Sequence, residues 1–401
     1  MTEEIKRTPL HKLQKALGAR MTVFAGWEMP LEYSGMKEEH ISVRKGVGLF
    51  DISHLGKIEV TGPKALDAVQ LVTTNDASRL SDGQVQYNLI CNPSGGILDD
   101  VTLYRFSEDR FMFCVNAANR EKIFNWLNKN IGNIAEVRDK SSDLATLALQ
   151  GPLAQQILQK TCDIDLSLIK NYHFSSGNIT GIESVVSRTG YTGEDGFEIY
   201  IPALAAETIW QKIMDAGRES GIKPAGLGAR DSLRLEMGYT LYGNDISEET
   251  TPLEAGLERF VKFQKPSFIG KEALQRQAQE GVRKRLIGFE MVGRGIPRSH
   301  YPIFHYENTP STRRGEGRGE GADFQDVEGN KDVVVTYQAG LKGRRVGEVA
   351  SGGHSPSLGK AIGMGYLETA FASIGSKIGI EIRGKMIEAV VVQRPFFKRH
   401  S

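Results

Sequence analysis

The sequence predicts an α+β fold that ends in a β-rich C-terminal part, and three observations predict it. Ahead of Leu286, helix-like and strand-like stretches mix without the regular alternation of a doubly wound parallel sheet. From Leu286 onward the runs are mostly strand-like: Leu286–Met291, Val346–Ala350, Ile378–Ile382 and Ile387–Val392, with Arg383-Gly384-Lys385 as a hairpin turn. Finally, the chain has 401 residues, 40% of them hydrophobic and 25% charged. That is the balance of a folded protein, at a length that calls for two or three domains rather than one core.

The elements follow in order. The stretch up to Phe50 combines a short helical pattern with an aromatic turn, Phe24-Ala25-Gly26-Trp27-Glu28-Met29-Pro30. A strand-like run, Lys57–Thr61, ends in Gly62-Pro63, and Leu66, Val69 and Leu71 then mark a helix. Val101–Phe106 and Phe111–Val115, joined by Ser107-Glu108-Asp109-Arg110, read as an antiparallel hairpin. Ala117 to Asn128 reads as a helix with Ile123, Trp126 and Leu127 inside. The strand Leu144–Leu149 is closed by Gly151-Pro152, which opens a helix with Leu153, Ile157 and Leu158. Two strands, Ser184–Ser187 and Phe197–Ile201, flank a glycine-rich turn. An amphipathic helix from Ala205 to Gly217 carries Ile209, Trp210, Ile213 and Met214 as its stripe.

The bulk numbers exclude several classes. Fifty basic and 49 acidic residues leave a net charge of +1, which gives no general attraction to nucleic acid or to an anionic membrane. No apolar run reaches the length of a membrane span. Met1–Arg7 has no apolar core and carries two acids, unlike a secretory signal or transit peptide. A cytoplasmic protein is expected, or one of the mitochondrial matrix if a presequence has been removed. The three cysteines, Cys91, Cys114 and Cys162, form no CxxC and read as ordinary thiols of a reducing compartment. No HExxH and no histidine pair at ligand spacing suggests a metal. Ser351–Lys360 only partly matches a phosphate loop, and Gly-x-Ser-x-Gly is missing. The segment from Thr309 to Gly329, centred on Arg313-Arg314-Gly315-Glu316-Gly317-Arg318-Gly319-Glu320-Gly321, cannot bury a face and reads as a solvated loop, not a nucleotide site.

Three motifs concentrate unusual residues. In Asn92-Pro93-Ser94-Gly95-Gly96-Ile97-Leu98-Asp99-Asp100-Val101, two acids lie between a glycine turn and a strand. Strand alternation sends one inward and the other outward, and an inward carboxylate is costly without a partner or a task. Serving turn amides and a nearby base is an equally good reading of the residues alone. Thr189-Gly190-Tyr191-Thr192-Gly193-Glu194-Asp195-Gly196-Phe197-Glu198 allows backbone to approach a ligand closely, offers a flat ring in Tyr191, and offers two acceptors in Glu198. Ala225–Glu236 is a glycine-opened helix that puts Arg230 and Arg234 on one face, to hold an anion or to brace carboxylates; a surface ladder with Asp231 and Glu236 is the plain alternative.

Together these stretches resemble the aminomethyltransferases (T-proteins) of the glycine cleavage system, over nearly the whole chain. The likeness begins at Arg7-Thr8-Pro9-Leu10 and runs through Phe24–Leu31, Gly48-Leu49-Phe50-Asp51-Ile52-Ser53-His54, the three motifs above, Tyr239–Asp245, Phe268–Leu274 and Ser351–Gly359. It implies a three-domain cloverleaf of mostly antiparallel sheets around a central folate cavity, with a C-terminal β-barrel-like domain. The expected division is residues 1–52 and 141–258 for a first, split domain and 53–140 for the second. Residues 259–401 form the linker and the β-rich domain, with a charged loop near 305–343 where the family has a short turn.

The implied reaction takes the methylene carbon of an aminomethyl group from the lipoyl arm of the carrier H-protein. Tetrahydrofolate, a co-substrate, receives it, giving 5,10-methylenetetrahydrofolate and ammonia, with no metal and no nucleotide. Neither nucleic acid nor membrane is expected as a partner. Carried over by resemblance, Asp100 is the catalytic carboxylate, and Tyr87, Asn116, Tyr191, Glu198 and Arg230 line the folate site, with Glu198 on the pterin edge. Asp99 is expected to serve the turn. The rival readings are a non-enzymatic folate-binding protein of the same fold, whose Lys-Gly-Cys-Tyr type signature is missing, and a folate-dependent demethylase, whose flavin-binding fingerprint is missing.

Overall fold

The computed structural model describes residues 4–306, 334–336 and 342–399. The charged segment Thr309–Gly329 lies outside the described residues, and so does most of the 305–343 connection. Three large sheets, each with its own apolar core, make up the bulk of the protein, joined by a three-stranded sheet near the N-terminus.

The six-stranded sheet has the order Phe174–Ile179, Ile182–Ser187, Gly196–Pro202, Leu144–Gln150, Gly48–Asp51, Lys223–Pro224. All its pairings are antiparallel except the last. Helix Ala206–Gly217 packs Ile209, Trp210 and Ile213 into this core, as its stripe dictates, while Met214 stays partly buried. Filling the space of Trp210 and burying its apolar surface stabilises the fold by about 3–5 kcal/mol relative to alanine.

The five-stranded sheet is antiparallel throughout, in the order Gln84–Cys91, Ile97–Ser107, Arg110–Val115, Gly56–Thr61, Glu136–Asp139. Helices Ala65–Val72 and Arg120–Ile131 cover one face of it; Ile123 and Leu127 are buried there, but Trp126 is only partly so. In the C-terminal part, Pro302–Tyr306 pairs with Lys377–Ile382 on one side and with Lys342–Ser355 on the other. This closes six strands into a barrel, which also contains Lys385–Val392, Lys284–Met291 and Lys360–Glu368. Arg383 and Gly384 both have positive φ (52° and 74°), the geometry of a two-residue turn between twisted strands.

Two expectations change in detail. The aromatic stretch Phe24–Pro30 is not one turn: only Ala25 and Gly26, with φ of 50° and 78°, turn the chain between strands Arg20–Phe24 and Trp27–Glu32. Arg234 and Glu236 do not pair in a surface ladder. Arg234 binds buried Asp245 at 2.7 Å and exposed Asp231 at 2.8 Å, while Glu236 is gripped by Arg44 at 2.8 Å and by Ser357 of the barrel at 2.8 Å. Helix Leu227–Glu236 is thereby clamped between the six-stranded sheet and the barrel, its Ala229 and Leu233 packed in a core with Val43, Phe50 and Ile52. Among the described residues no helix is long and apolar enough to cross a membrane.

Candidate active site

The three bodies surround one cavity of about 1160 Å³. Tyr87, Asp100, Asn116, Tyr191, Glu198 and Arg230 all line it, so the folding chain brings every expected site residue to one place. That volume lies just above the usual range for small-molecule sites, about 300–1,000 Å³.

Asp100 reaches the cavity from the strand Ile97–Ser107. Tyr87, from the neighbouring strand, donates its hydroxyl to Oδ2 at 3.0 Å, and the Asn116 side-chain amide donates to Oδ1 at 2.8 Å. Burial raises the proton affinity of the Asp100 carboxyl above the usual carboxylate range, against the hydrogen bonds from Tyr87 and Asn116 that favour its charge. Asp99 is fully buried. It does not serve the glycine turn. Its Oδ2 accepts the Asn116 backbone N–H at 3.0 Å, and its Oδ1 lies 2.8 Å from the Asn116 amide and 2.5 Å from that of Asn119. The turn is held instead by Asn92, which accepts from the N–H groups of Ser94 (2.9 Å) and Gly96 (3.0 Å). Alternation therefore separates the two acids less than expected. Asn116 lies just beyond the strand Arg110–Val115 and reaches around its end to touch both. Burial, and then the Asp100 charge, push the Asp99 carboxyl up as well.

Across the cavity, Glu198 stands on the strand Gly196–Pro202. Its Oε2 accepts from Thr189 at 2.7 Å and Tyr104 at 3.3 Å, and Tyr104 accepts in turn from Tyr200 at 2.9 Å. Oε1 takes no hydrogen bond from any described residue. Arg230 projects from helix Leu227–Glu236, with its guanidinium carbon 4.7 Å from the Tyr191 ring centroid, a cation–π contact. Among the described residues it has neither a hydrogen-bond acceptor nor an ion pair. Burial depresses its proton affinity, and the Glu198 charge offsets part of that effect. A guanidinium and a carboxylate oxygen both left open toward one cavity are groups that a polar ligand can satisfy. Tyr191 is fixed by its hydroxyl on the Thr240 carbonyl (2.5 Å) and stacks on Tyr239 at 5.7 Å.

Three lining residues escaped the sequence reading. His54 was present in a matching motif but carried no assigned role; burial, then Arg230 and Lys57, push its proton affinity down to about 3, so the ring is neutral. Arg394 comes from the last segment of the barrel and donates to the Leu286 carbonyl at 3.1 Å. Room for it is made by Gly238 and Gly256, whose φ values are +64° and +72° and where an added Cβ would lie 3.0 and 3.2 Å from Arg394. Arg259 lies at the rim. No local pattern marks these arginines, because only tertiary closure brings them to the cavity. Among the described residues no group of acids, histidines and cysteines is arranged to hold a metal.

Comparison with known proteins agrees with this geometry. The GCVT N-terminal domain matches residues 10–265, and the glycine cleavage T-protein C-terminal barrel domain matches residues 321–398. The aminomethyltransferase of Halothermothrix orenii is 45% identical over 392 residues, covering 98% of this chain and 100% of that protein. That of Caldanaerobacter subterraneus subsp. tengcongensis is 44% identical over 400 residues, covering 99% and 97%. The crystal structure of glycine cleavage system aminomethyltransferase T from Bartonella henselae is similar with a TM-score of 0.84 at 34% identity, covering 98% of this chain and 99% of that one. The chain therefore belongs to the aminomethyltransferase family of the glycine cleavage system, the T-proteins.

Proposed function

We propose that the protein moves the methylene carbon of an aminomethyl group, carried on the lipoyl arm of an H-protein, to tetrahydrofolate, with release of ammonia. The observation that carries this reading is the pairing of two differently held carboxylates across one cavity: Asp100 among neutral donors, and Glu198 beside the unpaired Arg230. Glu198 and Arg230 together suit a ring edge that offers both donors and an acceptor. Tyr191 gives that ring a flat partner.

The folate nitrogens supply the nucleophile, and the protein positions it. Asp100 faces the carbon being transferred. Its negative charge stabilises the positive charge that develops on the methylene carbon as the amine leaves. Its raised proton affinity suits it to accept and return a proton at a carboxylate oxygen. Tyr87 and Asn116 fix the orientation of that carboxylate, and Asp99 holds Asn116 from behind. We also read the chain as divided into 1–52 with 141–258, then 53–140, then 259–401, a division supported by the three separate cores.

The test is ammonia release from aminomethylated H-protein, measured with and without tetrahydrofolate. Release is expected to depend on folate. Equal rates in both arms would overturn the assignment.

A further inference from the structure

Behind the cavity wall, one buried guanidinium touches both segments that carry the Tyr191–Arg230 contact. Arg44 comes from helix Met36–Lys45, and all five of its N–H donors are engaged. Nη1 faces the turn that holds Tyr191: it donates to the Thr192 carbonyl at 2.7 Å and to Glu194 Oε1 at 2.9 Å. Nε and Nη2 face the last turn of helix Leu227–Glu236. They donate to Glu236 Oε2 at 3.1 and 2.8 Å, and Nη2 also reaches the Leu233 carbonyl at 3.3 Å. The side chains of Arg44, Glu194 and Glu236 are only 4%, 3% and 0% exposed, so water hardly competes for these bonds.

The same junction is tight on its other sides. Gly193 has a φ of +81°, and an added Cβ would lie 2.4 Å from Cγ of Met237, the residue that follows the helix. Val43, next to Arg44, packs in one core with Ala229 and Leu233, so the helix that carries Arg44 is itself seated on the helix that carries Arg230. Toward the C-terminus, the Phe397 ring centroid lies 4.4 Å from the Arg44 guanidinium carbon, and Arg399 lies 3.6 Å from Glu194. A planar fork with fixed N–H directions thus faces the turn on one edge and the helix on the other.

We propose that Arg44 is a positioning residue for the reaction: it lies outside the cavity and acts by holding the turn that bears Tyr191 against the helix that bears Arg230. The inference rests on the folate reading above and adds to it the device that sets the 4.7 Å spacing between that ring and that guanidinium. A lysine at position 44 keeps the charge, but its ammonium is a point with three donors and cannot hold two segments in fixed directions. The turn and the helix then settle independently. Tyr191 and Arg230 are the groups assigned to the folate ring, so affinity for folate depends on their spacing and affinity for the carrier protein does not.

The experiment compares full-length wild type, Arg44→Lys and Glu194→Gln by steady-state ammonia release, with tetrahydrofolate and aminomethylated carrier varied in turn, and by thermal melting. Arg44→Lys is expected to raise the folate KM roughly 10-fold or more, the scale on which small misplacements act, with the carrier KM unchanged. Glu194→Gln loosens the turn and leaves the grip on the helix intact, so a rise of about 2- to 5-fold is expected with little change in melting temperature. A merely structural role predicts another pattern: fewer folded molecules, hence a lower melting temperature and apparent kcat, with the folate KM of wild type. A wild-type folate KM in either variant overturns the proposal, and so does an equal rise in the KM for both substrates. Should Arg44→Lys fail to fold, Glu194→Gln alone decides. If wild type shows no folate dependence, the folate reading fails and takes the positioning role with it.

Discussion

The wall carrying Asp100 and the wall carrying Glu198 each present a carboxylate to the same cavity, yet they hold it differently. Asp100 is held by a phenol and an amide, neutral donors that fix direction without cancelling charge, and burial raises its proton affinity. Glu198 is held by two hydroxyls with a guanidinium in its field and keeps one oxygen open. The difference teaches a division of labour. In the proposed mechanism, the carboxylate assigned to proton exchange has neutral partners, whereas the one assigned to the ring edge has a guanidinium in its field.

Removing the exchangeable charge tests that division most severely. Asp100→Asn should abolish measurable turnover, a loss of ~10²–10⁴-fold, while folate still binds. Ammonia release and equilibrium folate binding, measured on the same preparation, check both halves. Normal turnover by that variant would remove Asp100 from the chemistry. On the other wall, Glu198→Gln should act mainly on recognition, weakening folate binding by about 10- to 150-fold, as loss of a charged hydrogen bond does. A fall in kcat with unchanged folate KM would place Glu198 in the chemistry and erase the contrast.

A smaller effect is expected one step behind Glu198. Tyr104→Phe leaves Thr189 as the donor to Oε2 and should raise the folate KM by only about 2- to 10-fold, because the bond lost is long (3.3 Å) and the closer donor stays. An unchanged KM would show that Thr189 alone positions the clamp. The last test is a displacement along the pH axis. If Asp100 works as the ionised base, as proposed, the rate should fall as pH drops through its raised pKa, above the range of an ordinary aspartate. The hydrogen bond from Tyr87 favours the ionised form. Tyr87→Phe should therefore shift the acid limb of kcat/KM to still higher pH. A shift downward, or none, would break the link between this phenol and the acid.

Much of this was legible in the sequence, for identifiable reasons. The hairpin Ile97–Ser107 with Arg110–Val115 and the helix Ala206–Gly217 follow their hydrophobic periods because each buries one face. Strand Gln84–Cys91, which carries Tyr87, was obscured by polar positions at Gln84, Gln86 and Asn88. Asn88 is fully buried and accepts the Asn75 N–H at 2.9 Å, so its polarity reports an internal bond, not a solvent face. Strand Lys360–Glu368 was obscured by Gly363 and Gly365. A Cβ there would lie 2.4 Å from Phe289 and 2.9 Å from Ile303, so close packing in the barrel removed the side chains that would have announced a strand. At the site, the glycine-flanked acids drew attention by composition, but their roles did not. Spacing left Asp99 and Asp100 equivalent in interest, and only the position of Asn116 beyond the strand end explains why both contact one amide.

Helix Leu227–Glu236 turns Arg230 toward the cavity while Arg234 and Glu236 are gripped from the barrel by Ser351, Ser355 and Ser357, and the Glu236 carbonyl accepts the N–H groups of Phe396 and Phe397. The order of synthesis acquires a meaning from this arrangement. Asp100 and Glu198 are translated early, but the support that steadies Arg230 arrives with residues 351–397, and Arg394 arrives with them. A nascent chain thus lacks a finished pocket until residues 351–397 have been made and have folded against the helix.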